Sequence, residues 1–428
     1  MEERILALLK EKLKPALGCT EPIAIAYGAA RAMAAGTGHE IRSIKVIASG
    51  NILKNAMAVI IPGTGESGIP LAAALGALSP ERADTELEVL KGVSQEKILE
   101  AKALVEGGKV SVSLSPTVKL LYIEVILETE KGTSRSVLED GHTNLTYLEA
   151  EGRILLDGRP KGEDKAEKPK GDEAPVSLEQ ILDFADTVPL ERLEIIREAL
   201  RLNEKISGEG LSDHYGHEVG RTIALQMEKG LLGKDLEQYV TARTAAASDA
   251  RMAGATLPVM SNSGSGNQGL TATLPILAAG EFLGKGEEEI LRAAALSSLV
   301  SIYIKKDFGV LSALCGATVA ATGAAAGLTR LLGGDREAVR RAIGNMLGNV
   351  SGIFCDGAKP GCALKVASSV KAAVLAAFLA LEGRGVQGQE GIVADHAEDS
   401  IRNFCQLSRR SSLNLDNLIL EMMVEKAR

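Results

Sequence analysis

Three cysteines in the second half of the chain have residue types and spacing suited to a metal site. Cys355 and Cys362 flank Asp356–Gly361, whose two glycines and one proline cannot continue a helix. Cys315 lies upstream in a run of small residues, where a helix can closely approach a bulky cofactor. Thiolates in this arrangement can bind zinc, or a cluster that leaves one iron open. The alternative is plain packing, because cysteine also behaves as a small apolar residue.

Cys19 is a fourth candidate, and it precedes a predicted helix. Thr20 can cap that helix, and Pro22 suits its first turn. Because a helix N-terminus stabilises a thiolate, Cys19 could act as a base or as a fourth metal ligand. A buried neighbour of the cap is the alternative. Cys405 has ordinary helical spacing, and we interpret it as a packing residue.

A glycine-rich segment, Ser261–Gly269, reads SNSGSGNQG and precedes an apolar helix predicted over Leu270–Ala279. Successive backbone N–H groups at such a helix start form a nest for a carboxylate or a phosphate. A flexible loop is the alternative, although the interleaved Asn and Gln favour binding. The candidate substrate contacts are Ser263, Gly264, Ser265, Gly266 and Asn267.

A second polar segment follows a predicted strand and could provide another carboxylate site. We interpret it as a loop, with candidate contacts Ser49, Asn51, Lys54 and Asn55. His142 lies in a turn-forming context and is a candidate substrate contact, although a lone histidine is commonly structural. We expect His214, His217 and His396 to be surface residues.

The elements that must position these residues predict an α+β fold. Alternating apolar residues predict strands between Ile41 and Asp157, with helices near 67–78 and 95–107. Ser177 begins a capping box, after which almost the whole chain reads as helix. We predict N-terminal helices at 1–36 that carry Cys19 and pack towards the helical domain, an α/β sandwich domain at 37–157, a charged linker at 158–175 and an all-α domain at 176–428 that carries the cysteine loop.

The composition is that of a soluble globular protein and argues against several partners. The 428 residues are 45% hydrophobic, and the net charge of -8 disfavours nucleic acid or an anionic membrane. Five cysteines in so long a chain do not indicate a secreted disulfide framework, and Met1–Arg4 lacks signal-peptide features. The uncharged run Gly309–Thr329 reads as a buried helix. We therefore expect a cytoplasmic protein whose alanine-rich helices pack tightly and would suit a homodimer.

In combination, these segments resemble the L-cysteine desulfidase family, which is related to the bacterial iron–sulfur L-serine dehydratases. The resemblance covers nearly the whole chain and implies a [4Fe–4S] cluster on Cys315, Cys355 and Cys362. It also implies that Cys19 abstracts a proton and that L-cysteine is converted to sulfide, ammonia and pyruvate. Cys-Asp-Gly-Ala replaces the Cys-Asp-Pro of the dehydratases, which favours the desulfidase branch. The segments that carry the resemblance are Gly18–Pro22, Ser49–Asn55, Ser261–Gly269, Cys315–Ala317 and Cys355–Cys362.

Other functions remain open on the residues alone. An L-serine dehydratase would use the same cluster, since serine and cysteine differ by one atom. A pyridoxal-phosphate eliminase could bind phosphate at SGSGN and form an aldimine at Lys54, Lys305 or Lys365. A non-enzymatic zinc or redox-sensing protein is a third alternative. In the enzyme hypotheses the partner is a small amino-acid substrate.

Overall fold

The computed structural model describes residues 1–117, 119–159, 176–309 and 312–426. The chain divides into two compact units. The first, which we call the helical unit, combines Met1–Gly18 with Val176–Arg428, and the second, the sheet unit, is Cys19–Pro175. The division falls between Gly18 and Cys19, inside the segment 1–36 that the sequence analysis treated as one. Of the predicted linker at 158–175, all but residues 158 and 159 lie outside the described residues.

Helices and strands alternate along the first part of the chain, and helices predominate after it. In chain order the elements are α1 (Glu2–Lys12), β1 (Leu13–Leu17), α2 (Thr20–Ala35), β2 (Ile41–Ala48), α3 (Gly50–Ala56), α4 (Ile69–Ala77), α5 (Gln95–Glu106), β3 (Val110–Leu114), β4 (Tyr122–Thr129), β5 (Gly132–Glu139), β6 (Leu145–Ala150), β7 (Arg153–Asp157), α6 (Leu178–Thr187), α7 (Glu194–Ser212), α8 (Val219–Glu228), α9 (Leu236–Met252), β8 (Pro258–Asn262), α10 (Gly266–Leu283), α11 (Glu287–Phe308), α12 (Gly316–Leu331), α13 (Arg336–Asn349), α14 (Cys362–Leu381) and α15 (Ala397–Lys426). The α+β fold predicted from the sequence is confirmed.

The sheet unit is built on six strands in the order β3-β2-β4-β5-β6-β7. Only the β2–β3 pair is parallel, and the other pairs are antiparallel. Ile44, Val46 and Ala48 of β2 are buried, as their alternation with polar residues predicts. Helix α2 covers the sheet, where Ser136 Oγ donates a hydrogen bond of 2.7 Å to the carbonyl of Gly28.

Small residues bring the helices of the sheet unit into very close contact. A Cβ atom at Gly76 of α4 would lie 2.0 Å from the carbonyl oxygen of Ala26 in α2. Real Cβ atoms do not approach a carbonyl so closely, so the packing of α2 on α4 requires glycine at this position. This backbone contact is of the kind predicted from the high alanine and glycine content.

The helical unit is a bundle with α12 at its centre. Helix α12 packs against α10, α11, α13 and α14. The predicted helix over Gly309–Thr329 begins later than expected, at Gly316, and its residues 310 and 311 lie outside the described part of the chain. A Cβ at Gly323 would lie 2.3 Å from the carbonyl oxygen of Ser297, so α12 and α11 also touch through their backbones.

The helical unit is not entirely α-helical, which corrects the prediction of an all-α domain. Strands β1 and β8 form a two-stranded antiparallel sheet in which Leu13 pairs with Asn262 and Leu17 with Pro258. Helix α1 ends at Lys12, and Leu13–Leu17 form a strand inside the segment 1–36 for which only helices were predicted. Pro15 explains the change, because a proline has no backbone N–H and disfavours the helical conformation of the residue before it.

One helix in the described residues is long and apolar enough to cross a membrane. It is α14, and 56% of its most apolar window is buried inside the protein. The core helix of a soluble protein meets the same criteria, so this single helix is weak evidence for a membrane span.

Candidate active site

Cys315 and Cys355 are held side by side by a short antiparallel bridge in the helical unit. Leu314 pairs with Phe354 across this bridge. The Cys315 N–H donates to the Ile353 carbonyl at 2.8 Å, and the Cys355 N–H donates to the Ala313 carbonyl at 2.7 Å. Cys315 is also the residue that caps the N-terminus of α12. The backbone therefore brings together two cysteines that are distant in sequence.

Cys362 completes the cysteine loop, which we define as residues 355–362. It is the first residue of α14, and its Sγ lies 3.7 Å from the Gly357 carbonyl oxygen. Gly357 has a φ of 92°, a conformation that favours glycine. The loop turns back because of this residue, as the glycines and proline of the segment predict.

Two lysines fasten the cysteine loop. Lys359 Nζ donates to the carbonyls of Asp356 at 3.1 Å and Gly357 at 3.3 Å. Lys365 Nζ, one turn into α14, donates to the Phe354 carbonyl at 2.6 Å and forms an ion pair with Asp356. Burial raises the pKa of Asp356, but the two ammonium groups outweigh it and hold that pKa at about 2. The two lysines thus tie both ends of the loop to its backbone and to Asp356.

The electrostatics of the three thiols show that they are neighbours. Burial and the nearby Cys355 and Cys362 raise the pKa of Cys315 to about 12, and burial raises the pKa of Cys362. The Cys315 and Cys362 thiols therefore keep their protons at neutral pH unless a bound cation stabilises the thiolates. Within the described ranges, however, no three His, Cys, Asp or Glu side chains form a group that could hold one metal ion.

The glycine-rich segment lies at the start of α10 in the same unit. Helix α10 begins at Gly266, earlier than the predicted Leu270, so Gly266 and Asn267 belong to its first turn. Ser265 caps the helix by accepting a hydrogen bond from the Gln268 N–H at 3.4 Å. Ser263 and Gly264 have φ values of 50° and 83°, which turn the chain from β8 into the helix.

The cysteines and the glycine-rich segment contact one another through Gly316. A Cβ at Gly316 would lie 3.0 Å from Cδ of Gln268, so the residue after Cys315 packs directly on the first turn of α10. Gln268 is held in place because its Nε2 donates to the Asn262 carbonyl at 3.3 Å. The helical unit therefore places a group of thiols beside a helix N-terminus that suits an anion.

Arg251 is a residue of this site that the sequence analysis missed. Its side chain is buried at the end of α9 and donates to the Gly18 carbonyl at 2.9 Å and to Asn267 Oδ1 at 3.1 Å. Gly18 directly precedes Cys19 in the sequence. The stretch Ala245–Ala255 is otherwise uncharged but contains both Asp249 and Arg251, so its pattern does not single out Arg251.

In the sheet unit, Cys19 caps α2 and contacts a buried carboxylate. Its Sγ donates to Glu21 Oε2 at 3.2 Å, and Thr20 Oγ1 donates to the same oxygen at 3.1 Å. His142 Nε2 lies 3.9 Å from Glu21 Oε1, within the range of an ion pair when the imidazole is protonated. Burial raises the pKa of Glu21, but His142 and Cys19 lower it, and the net result is a pKa of about 2. Glu21 is a second residue that the sequence analysis missed.

The other predicted substrate segment of the sheet unit is not a loop. It forms the short helix α3, whose buried side chains include Asn51, Lys54 and Asn55. Ser49 precedes the helix and donates to the Leu120 carbonyl at 2.8 Å. The loop prediction was wrong, because the polar residues that suggested solvent exposure face the interior.

His214, His217 and His396 are all exposed, as predicted, and His396 lies just before α15. His217 is nevertheless close to the cysteine loop, since its Nε2 lies 3.9 Å from the position of a Cβ at Gly361. Cys405 is buried, with its Sγ 3.5 Å from the Ile304 carbonyl, in agreement with a packing role.

Comparison with known proteins places this chain among relatives of matching length. This chain aligns with UPF0597 proteins from three bacteria, over nearly all of its own length and over 98% of theirs. The identity is 46% over 425 residues with the protein of Oleidesulfovibrio alaskensis. It is 44% over 428 residues with YhaM of Escherichia coli O157:H7, and 42% over 428 residues with the protein of Phocaeicola vulgatus. These names assign no reaction. The serine dehydratase alpha chain family matches residues 84–421, which include the three clustered cysteines, the glycine-rich segment and Arg251. The chain therefore belongs to the serine dehydratase alpha chain family.

Proposed function

We propose that this protein is an iron–sulfur lyase that catalyses β-elimination on a small amino acid, with L-cysteine as the preferred substrate. The products would be pyruvate, ammonia and sulfide. Membership of the serine dehydratase alpha chain family supports a lyase. The observation that carries the proposal is the contact of Gly316, next to Cys315, with the first turn of α10, because it joins the thiols to an anion-binding helix end.

The residues present fit a [4Fe–4S] cluster on Cys315, Cys355 and Cys362. Their donor atoms are all sulfur, which is the set that iron–sulfur clusters use. A single zinc ion would need its ligands to converge on one point, whereas each thiolate of a four-iron cluster binds a different iron. When bound, the cluster would supply an open iron as a Lewis acid for the departing sulfide or hydroxide.

The chain itself would provide proton transfer and substrate orientation. We propose that Cys19 removes the Cα proton as a thiolate. Glu21, ionised across the neutral pH range, would accept the hydrogen bond of 3.2 Å from the Cys19 thiol, the form that carries the abstracted proton, and so favour proton transfer to Sγ. Backbone N–H groups of the turn from Ser263 to Asn267 would bind the substrate carboxylate. A substrate role for His142, Ser49, Asn51, Lys54 and Asn55 stays a prediction.

Iron analysis of anaerobically purified protein tests this function. We expect a brown, oxygen-labile protein with about four irons per chain that releases sulfide from L-cysteine. Cys355→Ser should lose most of the iron and the activity, because it removes one cluster ligand. Cys405→Ser is the matched control and should retain both, since Cys405 is a buried cysteine outside the loop. Stoichiometric zinc without lyase activity, or a yellow protein bleached by borohydride, would contradict the proposal.

L-serine is the alternative substrate, because it presents the same carboxylate and amine. Steady-state comparison of the two amino acids on the anaerobic protein decides between them. A higher kcat/KM for L-serine would assign a serine dehydratase with the same cluster. We further propose a cytoplasmic location and a homodimer, which fractionation of cells and light scattering of the purified protein would test.

A further inference from the structure

Arg251 is a buried cation whose partners are all neutral. Arg251 is 3% exposed. Its guanidinium donates hydrogen bonds to the Gly18 carbonyl, to Asn267 Oδ1 and to Met252 Sδ. Its Nε has no hydrogen-bond partner. In the part of the chain that the structure describes, no Asp or Glu forms an ion pair with Arg251. The guanidinium therefore retains one N–H donor without a hydrogen-bond partner, and a positive charge that no carboxylate among the described residues pairs with.

Such an arrangement is unfavourable for a side chain with a structural role alone. A buried charge is ordinarily paired with an opposite charge, because removing it from water costs several kcal/mol. Arg243, a half-buried arginine two turns earlier on the same helix, has such a partner in Glu281, at 2.8 Å. Arg251 has no such partner among the described residues.

The surroundings of Arg251 favour an anion from outside the protein. The guanidinium lies against the first turn of α10, where backbone N–H groups have no partners within the helix. Gly266 permits this approach, since a Cβ there would lie 2.1 Å from Nε and 2.5 Å from Cζ of Arg251. The helix dipole adds positive potential at the same place. Gly264, two residues before this turn, is exposed, so the segment reaches the surface.

We propose that Arg251 is the cationic anchor of a carboxylate site at the N-terminus of α10, and that its ligand is the carboxylate of an amino or keto acid. This inference rests on the proposed function, for which it names the residue that selects substrates with a carboxylate. A single guanidinium with a helix end neutralises one negative charge, which matches a carboxylate better than a phosphate dianion. A guanidinium also binds a carboxylate through two parallel hydrogen bonds.

Equilibrium binding to the anaerobic holoprotein tests the proposal without turnover. The probe is L-alanine, which has the carboxylate and the amine but no leaving group on Cβ. L-alaninamide lacks the charge, and inorganic phosphate is the alternative anion. We expect calorimetry to detect L-alanine and neither comparison compound. Arg251→Gln should weaken L-alanine binding by about 10- to 100-fold, the usual effect of losing a charge-assisted hydrogen-bonding partner.

Two further variants separate binding from folding. Arg243→Gln removes an arginine of the same helix and should leave L-alanine binding unchanged. Arg251→Lys keeps the charge but loses the paired donors, so its affinity should lie between those of the wild type and Arg251→Gln. Iron content and unfolding temperature are measured for each variant, and binding is compared among those that retain both.

The outcomes distinguish this inference from the proposed function. If Arg251→Gln binds L-alanine as the wild type does, or if L-alaninamide binds equally well, the carboxylate anchor is wrong. Preferential binding of phosphate would overturn it too. If Arg251-dependent binding of L-alanine is found in a protein that lacks lyase activity, the anchor is supported and the proposed reaction alone fails.

Discussion

Asp249 carries a carboxyl group that is buried against the start of α8. Its Oδ2 accepts a hydrogen bond of 3.0 Å from the Gly220 N–H, in the first turn of that helix. The preceding connection is also near the cysteine loop, because a Cβ at Gly216 would lie 3.4 Å from Cβ of Pro360. Burial raises the pKa of Asp249 to about 6, although the N–H groups of α8 counteract it. Ionisation of the Asp249 carboxyl therefore couples the packing of α8, and of the segment before it that contains Gly216, to pH.

We expect Asp249 to make the helical unit less stable as pH rises from about 4 to about 6. The folded pKa exceeds the ordinary value of 3.8, so folding favours the protonated carboxyl. The favourable contribution is complete below the ordinary value and is lost as pH rises through the folded one. Asp249→Asn should remove this dependence, which calorimetric unfolding temperatures at several pH values would measure, with differences of a few degrees. Parallel pH profiles for wild type and variant would contradict the assignment.

Glu21→Gln should lower kcat by about 10- to 100-fold, because the neutral amide no longer holds the Cys19 thiol as an ionised carboxylate does. Iron content should stay unchanged, since Glu21 is not a thiol donor. Between pH 5 and pH 9 wild-type activity should show no titration of Glu21, whose pKa is about 2. Stopped assays of sulfide release measure both effects.

Glu106→Gln is the matched control for Glu21→Gln. Glu106 ends α5 in the same unit, and its side chain is exposed. Its kcat should equal that of the wild type. A Glu21→Gln enzyme with wild-type kcat would remove Glu21 from the proposed mechanism.

At the scale of elements, the contact between α2 and α4 makes a clear prediction. Gly76→Ala places a methyl group 2.0 Å from the Ala26 carbonyl oxygen, so the two helices must separate. We expect the free energy of unfolding of the sheet unit to fall by about 1–3 kcal/mol. Thermal unfolding followed by circular dichroism measures the change.

Gly208→Ala is the control for that substitution, because it adds the same methyl group to a helix with open space around it. Alanine favours the helix over glycine, so stability should be unchanged or rise by about 0.5–1 kcal/mol. If both variants lose stability equally, helix packing is not the reason for Gly76.

Periodicity revealed most of the regular elements but not β1 and β8. Strands of the large sheet alternate apolar and polar residues over as many as eight positions, which a sequence pattern can detect. Strands β1 and β8 have five residues each, contain proline and pair across most of the chain. Tertiary packing brings β1 and β8 together, and no local sequence pattern indicates that these two segments pair.

The candidate site divides in a similar way. Cysteines and glycines could be found because their residue types restrict their chemistry and conformation. Arg251 and Glu21 could not, because what distinguishes them is the set of groups around each side chain. A buried guanidinium reads in sequence like any exposed arginine, and α3 shows the converse error, since its polar residues are buried.

At the scale of the whole molecule, all three proposed cluster ligands belong to the helical unit. We therefore expect loss of the cluster in air to loosen that unit and to leave the sheet unit unchanged. Hydrogen exchange of anaerobic and oxidised protein would measure this, with faster exchange around 313–316 and 353–357 and equal exchange in β2 and β4. Equal exchange everywhere would indicate that the thiols hold no stabilising group.

The pairing of β1 with β8 also has a consequence for how the chain is made. Leu13 and Asn262 are partners, so a ribosome exposes β1 long before its partner exists. During that interval β1 offers unpaired backbone groups to any other strand, including a neighbouring nascent chain. Contacts of such high sequence separation form slowly, so completion of the helical unit should be a late event in biosynthesis. A fusion partner attached before Met1 would be next to β1 while β1 still lacks its partner, and we expect it to slow the pairing of β1 with β8. A fusion partner attached after α15 would be synthesised after β8 and should not affect this pairing.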